Sequence, residues 1–135
     1  MSTSLKLHQV SVSAMDNNCY LLSSGEQGLL IDAADEPETL FAMARDASVE
    51  ITAVLTTHRH HDHTRALEAV LEATSATHYA PFLDAPALPV APDVELRDGD
   101  TIEFAGHRIP VGILRGHTPG GAFIAVDIDG TPNLF

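Results

Sequence analysis

Apolar and polar residues alternate over residues 5–12, which is the two-residue period of a strand with one face buried. Short apolar runs follow at 19–22 and 28–31, with the polar stretch Ser23-Ser24-Gly25-Glu26-Gln27 between them. The pattern predicts a meander of three antiparallel strands, closed by Asp32 at the end of the third. Pro37 suits the first turn of a helix, where its missing N–H costs nothing, and Leu40, Phe41 and Ala44 keep helical spacing behind it. Residues 51–55 are β-branched and apolar, a strand that runs into Thr56-Thr57. After a histidine-rich run comes a second amphipathic helix, from about 64 to 73, with Leu67, Val70, Leu71 and Thr74 on one stripe.

A strand at 77–80 leads into a connection punctuated by Pro81, Pro86, Pro89 and Pro92. Strands at 94–96 and 101–104 flank Arg97-Asp98-Gly99-Asp100, and the dipeptide Asp98-Gly99 predicts a tight hairpin between them. Ala105-Gly106 predicts a second hairpin with 107–114. A loop carrying Gly116, His117, Thr118, Pro119 and Gly120 precedes a last strand at 122–128, and Asp129-Gly130-Thr131-Pro132 reads as a turn. No repeat or low-complexity tract interrupts the chain. The content is α/β of the α+β type, with strands in runs rather than in strict βαβ alternation.

A length of 135 residues suits one hydrophobic core, so 1–135 is read as one domain. No stretch approaches the ~18 apolar residues of a membrane span, and no basic segment followed by an apolar run opens the chain. A cytoplasmic protein without membrane contact is expected. A lone cysteine, Cys19, excludes an internal disulfide and, beside Tyr20-Leu21-Leu22, reads as a buried structural thiol. Seven basic residues against 19 acidic ones give a net charge of −12, which would repel a phosphate backbone. Nucleic acid is therefore not expected as a partner.

The chemistry concentrates in His58-Arg59-His60-His61-Asp62-His63. His58 and His60 are two apart where a strand gives way to a loop, and in extended backbone such side chains point the same way. Asp62 and His63 open the following helix and aim at a neighbouring point. Imidazole and carboxylate donors without thiolate suit an open, catalytic zinc site or one for a similar ion. They also suit a pair of ions about 3.5–4 Å apart. His117, in a loop fixed by two glycines and a proline, is the natural further ligand.

Taken together, Thr57-His58-Arg59-His60-His61-Asp62-His63 and Gly116-His117-Thr118-Pro119-Gly120 resemble the two metal signatures of the metallo-β-lactamase superfamily. Asn17-Asn18-Cys19-Tyr20 and Leu30-Ile31-Asp32-Ala33 upstream agree in order and context. The resemblance is closest to the hydroxyacylglutathione-hydrolase-like (glyoxalase II-like) branch and covers essentially the whole chain. It implies an αββα sandwich in which His58, His60 and His117 bind a first metal, and Asp62 and His63 a second. Zinc is the implied ion, one or two per chain, with iron or manganese as alternatives. Asp62 would also orient the attacking water, and Asp32 would support the metal loop from behind. His61 falls at a variable position, and His8, His78 and His107 match nothing in the signatures. The implied activity is hydrolysis of a small thioester or ester by a metal-activated water.

In the family, an aspartate that bridges the metals follows where this chain stops at Phe135, and Asp127 and Asp129 are poor substitutes because they precede that position. The expectation is thus the N-terminal half of the sandwich only, with the inner face of its sheet uncovered. Such a half would be impaired, poorly folded or completed by a partner chain. Two other readings share the signatures: a persulfide dioxygenase with one iron held by two histidines and an aspartate, and a catalytically incomplete metal-binding fragment.

Overall fold

The alternating segment at the start of the chain forms the edge strand of a six-stranded sheet. The structure, a computed structural model, describes residues 5–12, 17–57, 64–82, 85–114, 121–128 and 131–135. The elements in order are β1 (Lys6–Val12), β2 (Asn17–Ser24), β3 (Gln27–Ile31), α1 (Pro37–Asp46), β4 (Glu50–Leu55), α2 (Leu67–Ala73), β5 (Thr77–Pro81), β6 (Val94–Leu96), β7 (Thr101–Phe104), β8 (His107–Leu114), β9 (Gly121–Ile128) and β10 (Thr131–Leu134). The first sheet has the order β1-β2-β3-β4-β5-β6, and the second has β10-β9-β8-β7.

The predicted meander is present: β1, β2 and β3 pair antiparallel, with Val10 opposite Cys19 and Leu21 opposite Leu30. From β3 onward the first sheet is parallel. The succession β3-α1-β4-α2-β5 makes two βαβ crossovers, so the reading of strands in runs holds only for the two ends of the chain. Helix α1 begins with Pro37 in its first turn, as expected. It ends in a Schellman arrangement without glycine: Ser48 takes a φ of 58°, its N–H reaches the Arg45 carbonyl, and the Val49 N–H reaches that of Ala44. That turn sends Val49 into the helix-side core and the chain into β4.

The predicted hairpin across Asp98-Gly99 is not formed. The turn itself is there, with Gly99 at φ 88° and the Asp100 carboxylate accepting the Arg97 N–H at 2.8 Å. Its flanking strands, however, lie in different sheets: β6 pairs parallel with β5, and β7 pairs with β8. The turn is the step from one sheet to the other. The second hairpin is as predicted, with Ala105 at φ 48° and Gly106 at φ 85°, the two left-handed residues a two-residue turn of the I′ kind requires. The segment read as a closing turn contains a further strand: β10 pairs with β9, Thr131 opposite Ile128 and Leu134 opposite Ala125. Pro132 is tolerated because it sits in an edge strand.

Successive residues of the central strands feed two cores. Leu29, Ile31 and Leu55 face the second sheet, where they join Ile102, Phe104, Ile109, Val111 and Ile124. Leu30 and Val54 face Leu40, Ala44, Leu67 and Val70 of the two helices. Each such leucine taken fully out of water stabilises the fold by about 1.5–3 kcal/mol. The expectation of an uncovered inner face is therefore corrected. Strands β7–β10 supply the covering layer from within this chain, and among the described residues only Leu7 and Val94 are large exposed hydrophobics. The layers described are helices, first sheet, second sheet, in keeping with the expected sandwich. The outward positions of the second sheet, such as Thr101, Glu103, Arg108, Pro110 and Ala125, are exposed.

Candidate metal centre

The histidine run leaves the C-terminal end of β4, and its upstream stem is held from both neighbouring strands. The Asp32 N–H donates to the Leu55 carbonyl at 2.8 Å, and the Thr56 N–H donates to the Tyr79 carbonyl at 2.9 Å. Asp32 takes a φ of 62°, a left-handed conformation that aspartate tolerates better than most residues. This bend accompanies a carboxylate set across the end of β4. There it accepts the Thr57 N–H on Oδ1 and the Thr57 hydroxyl on Oδ2, both at 2.7 Å. The pair is buried, Asp32 at 6% and Thr57 at 9% exposure. Short, charge-assisted bonds to both oxygens make this a stiff clamp.

The downstream stem is tied to the residues that follow Asp32. The Arg65 N–H donates to the Ala34 carbonyl and the Ala66 N–H to that of Ala33, both at 3.0 Å, and the Arg65 guanidinium pairs with Asp35 at 3.4 Å. Residues 32–35 thus grip the run at both ends, upstream through Thr57 and downstream through Arg65 and Ala66. The second loop joins the same place. Strands β8 and β9 end their pairing with Leu114 opposite Gly121, and the Ala122 N–H donates to the Thr57 carbonyl at 2.7 Å. Thr57 immediately precedes His58, and Ala122 comes five residues after His117. Two histidine-bearing segments from different sheets therefore depart from one hydrogen-bonded junction. His58, His60, Asp62, His63 and His117 themselves lie outside the described residues, as does His61; Asp32 is described, and its carboxylate holds Thr57, one residue short of that run.

Sequence reasoning passed over His78, which matches no signature. It lies on β5 with 1% of its surface exposed, and its Nε2 is 2.8 Å from the Thr56 hydroxyl. Its Nδ1 is 3.4 Å from the Ala91 carbonyl, and its backbone N–H donates to the Asp93 carboxylate at 2.8 Å. A carbonyl only accepts, so Nδ1 carries the proton and Nε2 accepts from Thr56. The available signal was a histidine inside a short strand next to the one that leads into the threonines. Burial lowers the His78 pKa below its ordinary value, outweighing the Ala91 carbonyl and the Asp93 carboxylate, which raise it. Protons then bind the unfolded chain more readily than the folded one. This contribution to stability should be complete above about pH 6.5 and fall away as the pH drops below it. Urea titrations of wild type and His78→Gln between pH 5 and 8 should show a steeper acid-side loss in wild type; parallel curves would refute it.

Cys19 is fully buried, as expected. Burial, with a smaller push from the Asp32 carboxylate and against backbone hydrogen bonding from Ala34, drives its thiol pKa up to about 11. At pH 8 roughly a thousandth would be thiolate even if it were accessible, so an alkylating reagent should modify Cys19 only after denaturation. Rapid labelling of the native protein, read by mass spectrometry, would contradict this. His8 and His107 contact Ser23 and Ser24 through their Nε2 atoms, at 3.0 and 3.3 Å. A cavity of about 390 Å³ lined by Leu5, His107, Ile109 and Val126 opens where the β8–β9 pairing has ended, at the far end of β8 from the junction. The chemistry of the chain does not converge there.

Comparison with known proteins agrees with the geometry. The family model described as the metallo-beta-lactamase superfamily matches residues 13–131. A hydroxyacylglutathione hydrolase of Roseobacter denitrificans is 37% identical over 107 residues, covering 78% of this chain and 41% of that protein. One from Gloeobacter violaceus is 33% identical over 123 residues, covering 89% and 47%. The chain thus spans less than half the length of these curated relatives. Among solved structures, a beta-lactamase from Chitinophaga pinensis superposes with a TM-score of 0.79 at 25% identity, covering 94% of this chain and 57% of that one. A protein solved in a di-iron-bound form gives 0.72 at 31% identity, covering 87% and 65%.

Proposed function

The chain belongs to the metallo-beta-lactamase superfamily, and on that premise we propose that the protein is a metal-dependent hydrolase of a small thioester or ester, of the hydroxyacylglutathione hydrolase kind. The observation that carries this reading is the 2.7 Å bond from the Ala122 amide to the Thr57 carbonyl, which starts both histidine segments at one point. His58, His60 and His117 hold the first metal, and Asp62 and His63 the second. The donor set fits such ions: imidazoles and a carboxylate, no thiolate, on a short span anchored at both ends. Zinc is the ion this set favours, one or two per chain, and iron or manganese would be accepted by the same atoms; a relative holding two irons supports that latitude.

The chemistry a metal supplies when bound is polarisation of the carbonyl and acidification of water. The chain's own residues do the rest. Asp62 would orient the attacking water, His58, His60 and His117 would hold the ion, and Asp32 holds the residue before the run, Thr57. A small-molecule substrate and a cytoplasmic setting complete the reading, and residues 1–135 belong to a single domain of it. Among the described residues no helix is long and apolar enough to cross a membrane. The net charge of −12 disfavours nucleic acid as a substrate.

The test is elemental analysis of the purified whole protein together with turnover of acylglutathione thioesters and simple esters. One or two metal ions per chain and thioester hydrolysis abolished by a chelator are expected. Oxygen consumption with a persulfide in place of hydrolysis would transfer the protein to the dioxygenase reading. A metal-free protein would defeat both.

A further inference from the structure

We infer that His78 is a positioning residue for the first metal-binding segment, holding the Thr56 hydroxyl and with it the end of β4 from which that segment departs. The inference rests on the metal-site reading above and adds to it a residue from outside both signatures.

Two threonines separate β4 from His58, and each is held from a different side. Thr57 is clamped by Asp32 from β3 and joined to Ala122 of the second sheet. Thr56 has neither partner. Its backbone N–H goes to Tyr79 and its hydroxyl to the Nε2 of His78, both on β5. The two contacts come from opposite sides of β4, one from the end of β3 and the other from β5. Removing either side-chain contact leaves that threonine held through its backbone bonds alone, to Tyr79 for Thr56 and to Ala122 for Thr57. His78 is held in turn, its ring by the Ala91 carbonyl and its backbone by Asp93, both on the connection that leads to β6. A line of contacts therefore runs from that connection through His78 and Thr56 to the residue before the clamp.

The burial makes a merely space-filling role a poor account. Thr56 is 0% and His78 1% exposed, opposite ends of a polar contact set in the layer that otherwise holds Val54, Leu30 and Val70. A valine and a leucine would fill such space without the cost of taking an imidazole and a hydroxyl out of water. What an apolar pair cannot do is fix the rotation of the strand end. Residues that orient metal ligands from behind commonly alter metal affinity or activity by about 10–100-fold when lost.

The experiment compares Thr56→Val, His78→Asn, His78→Gln and the double variant Thr56→Val/His78→Asn in the whole protein. The readouts are zinc affinity by chelator competition and the melting temperature of the metal-free form. Glutamine keeps an acceptor near the place of Nε2, whereas asparagine is too short to reach Thr56. Thr56→Val and His78→Asn should each weaken zinc binding by about tenfold or more, and His78→Gln should retain most of it. The double variant should bind no more weakly than the worse single one, because both changes delete the same bond. Wild-type affinity in Thr56→Val and His78→Asn overturns the inference while leaving the hydrolase reading intact. So does a loss that follows the metal-free melting temperature in every variant, glutamine included. A wild-type protein that binds no zinc, iron or manganese removes the hydrolase reading and this inference together.

Discussion

Replacing Asp32 by alanine should destabilise the metal-free protein by about 3–5 kcal/mol, because two buried donors lose their acceptor at about 1–3 kcal/mol each and alanine tolerates a left-handed backbone poorly. The Thr57 N–H and hydroxyl are those donors, each bonded to an Asp32 carboxylate oxygen at 2.7 Å, and Asp32 sits at φ 62°. Asparagine at this position keeps one acceptor and the left-handed tolerance, so Asp32→Asn should lose only about 1–2 kcal/mol. The order matters more than the magnitudes. Denaturant titrations in which alanine and asparagine cost the same would mean that the carboxylate does not clamp the strand end. The consequence for the site is direct: the side chain that holds the residue before His58 is lost, while the backbone bonds to Tyr79 and Ala122 remain.

His117→Ala should reduce thioester hydrolysis by the whole protein by at least about 100-fold, since removing a ligand costs more than the 10–100-fold typical of the residues behind one. The metal-free melting temperature should stay close to wild type, because the substitution falls in a loop whose flanking strands are already paired through Leu114 and Gly121. His61→Ala is the control within the run itself and should leave activity within about threefold, as expected of the one histidine in the run that falls at a variable position of the signature. An active His117→Ala protein, or an inactive His61→Ala one with normal metal content, would reject the assignment of ligands.

Periodicity carried the fold where the pattern was local. The meander through Leu30, the helix behind Pro37 and the hairpin at Ala105-Gly106 all follow from nearest-neighbour chemistry and are present as read. The errors fall where partners are distant in sequence. Asp98-Gly99 has the chemistry of a tight turn, but the competing attraction of β5 for β6, through Tyr79 and Val94, decides which sheet each flank joins. Turn propensity says nothing about that. The strand through Thr131 to Leu134 was hidden because a proline discounts a strand, except at an edge, and edges are not visible in one dimension. The inner face expected to lie bare is covered for the same reason: whether β7–β10 fold over the first sheet depends on packing, not on pattern.

The site divides in a similar way. Donor types and spacings are legible in the sequence, and so is an aspartate directly after a strand. The clamp on Thr57 exists because the fold brings residues 25 apart in sequence together. His78 was dismissed for matching no signature, yet it bonds to the residue two places before His58. Its importance comes from lying beside Thr56 across a parallel pair, a neighbour relation that only the register of β4 and β5 creates.

The bond from Ala122 to Thr57 joins the two sheets at the end where the histidines emerge. Prying the layers apart and dismantling the site are consequently a single event. Any cation gripped by residues from both sides would act as a rivet, resisting delamination as strongly as it is bound. The backbone proton at position 122 is then a natural sentinel, exchanging with deuterated solvent slowly while the rivet is in place and faster once it is withdrawn.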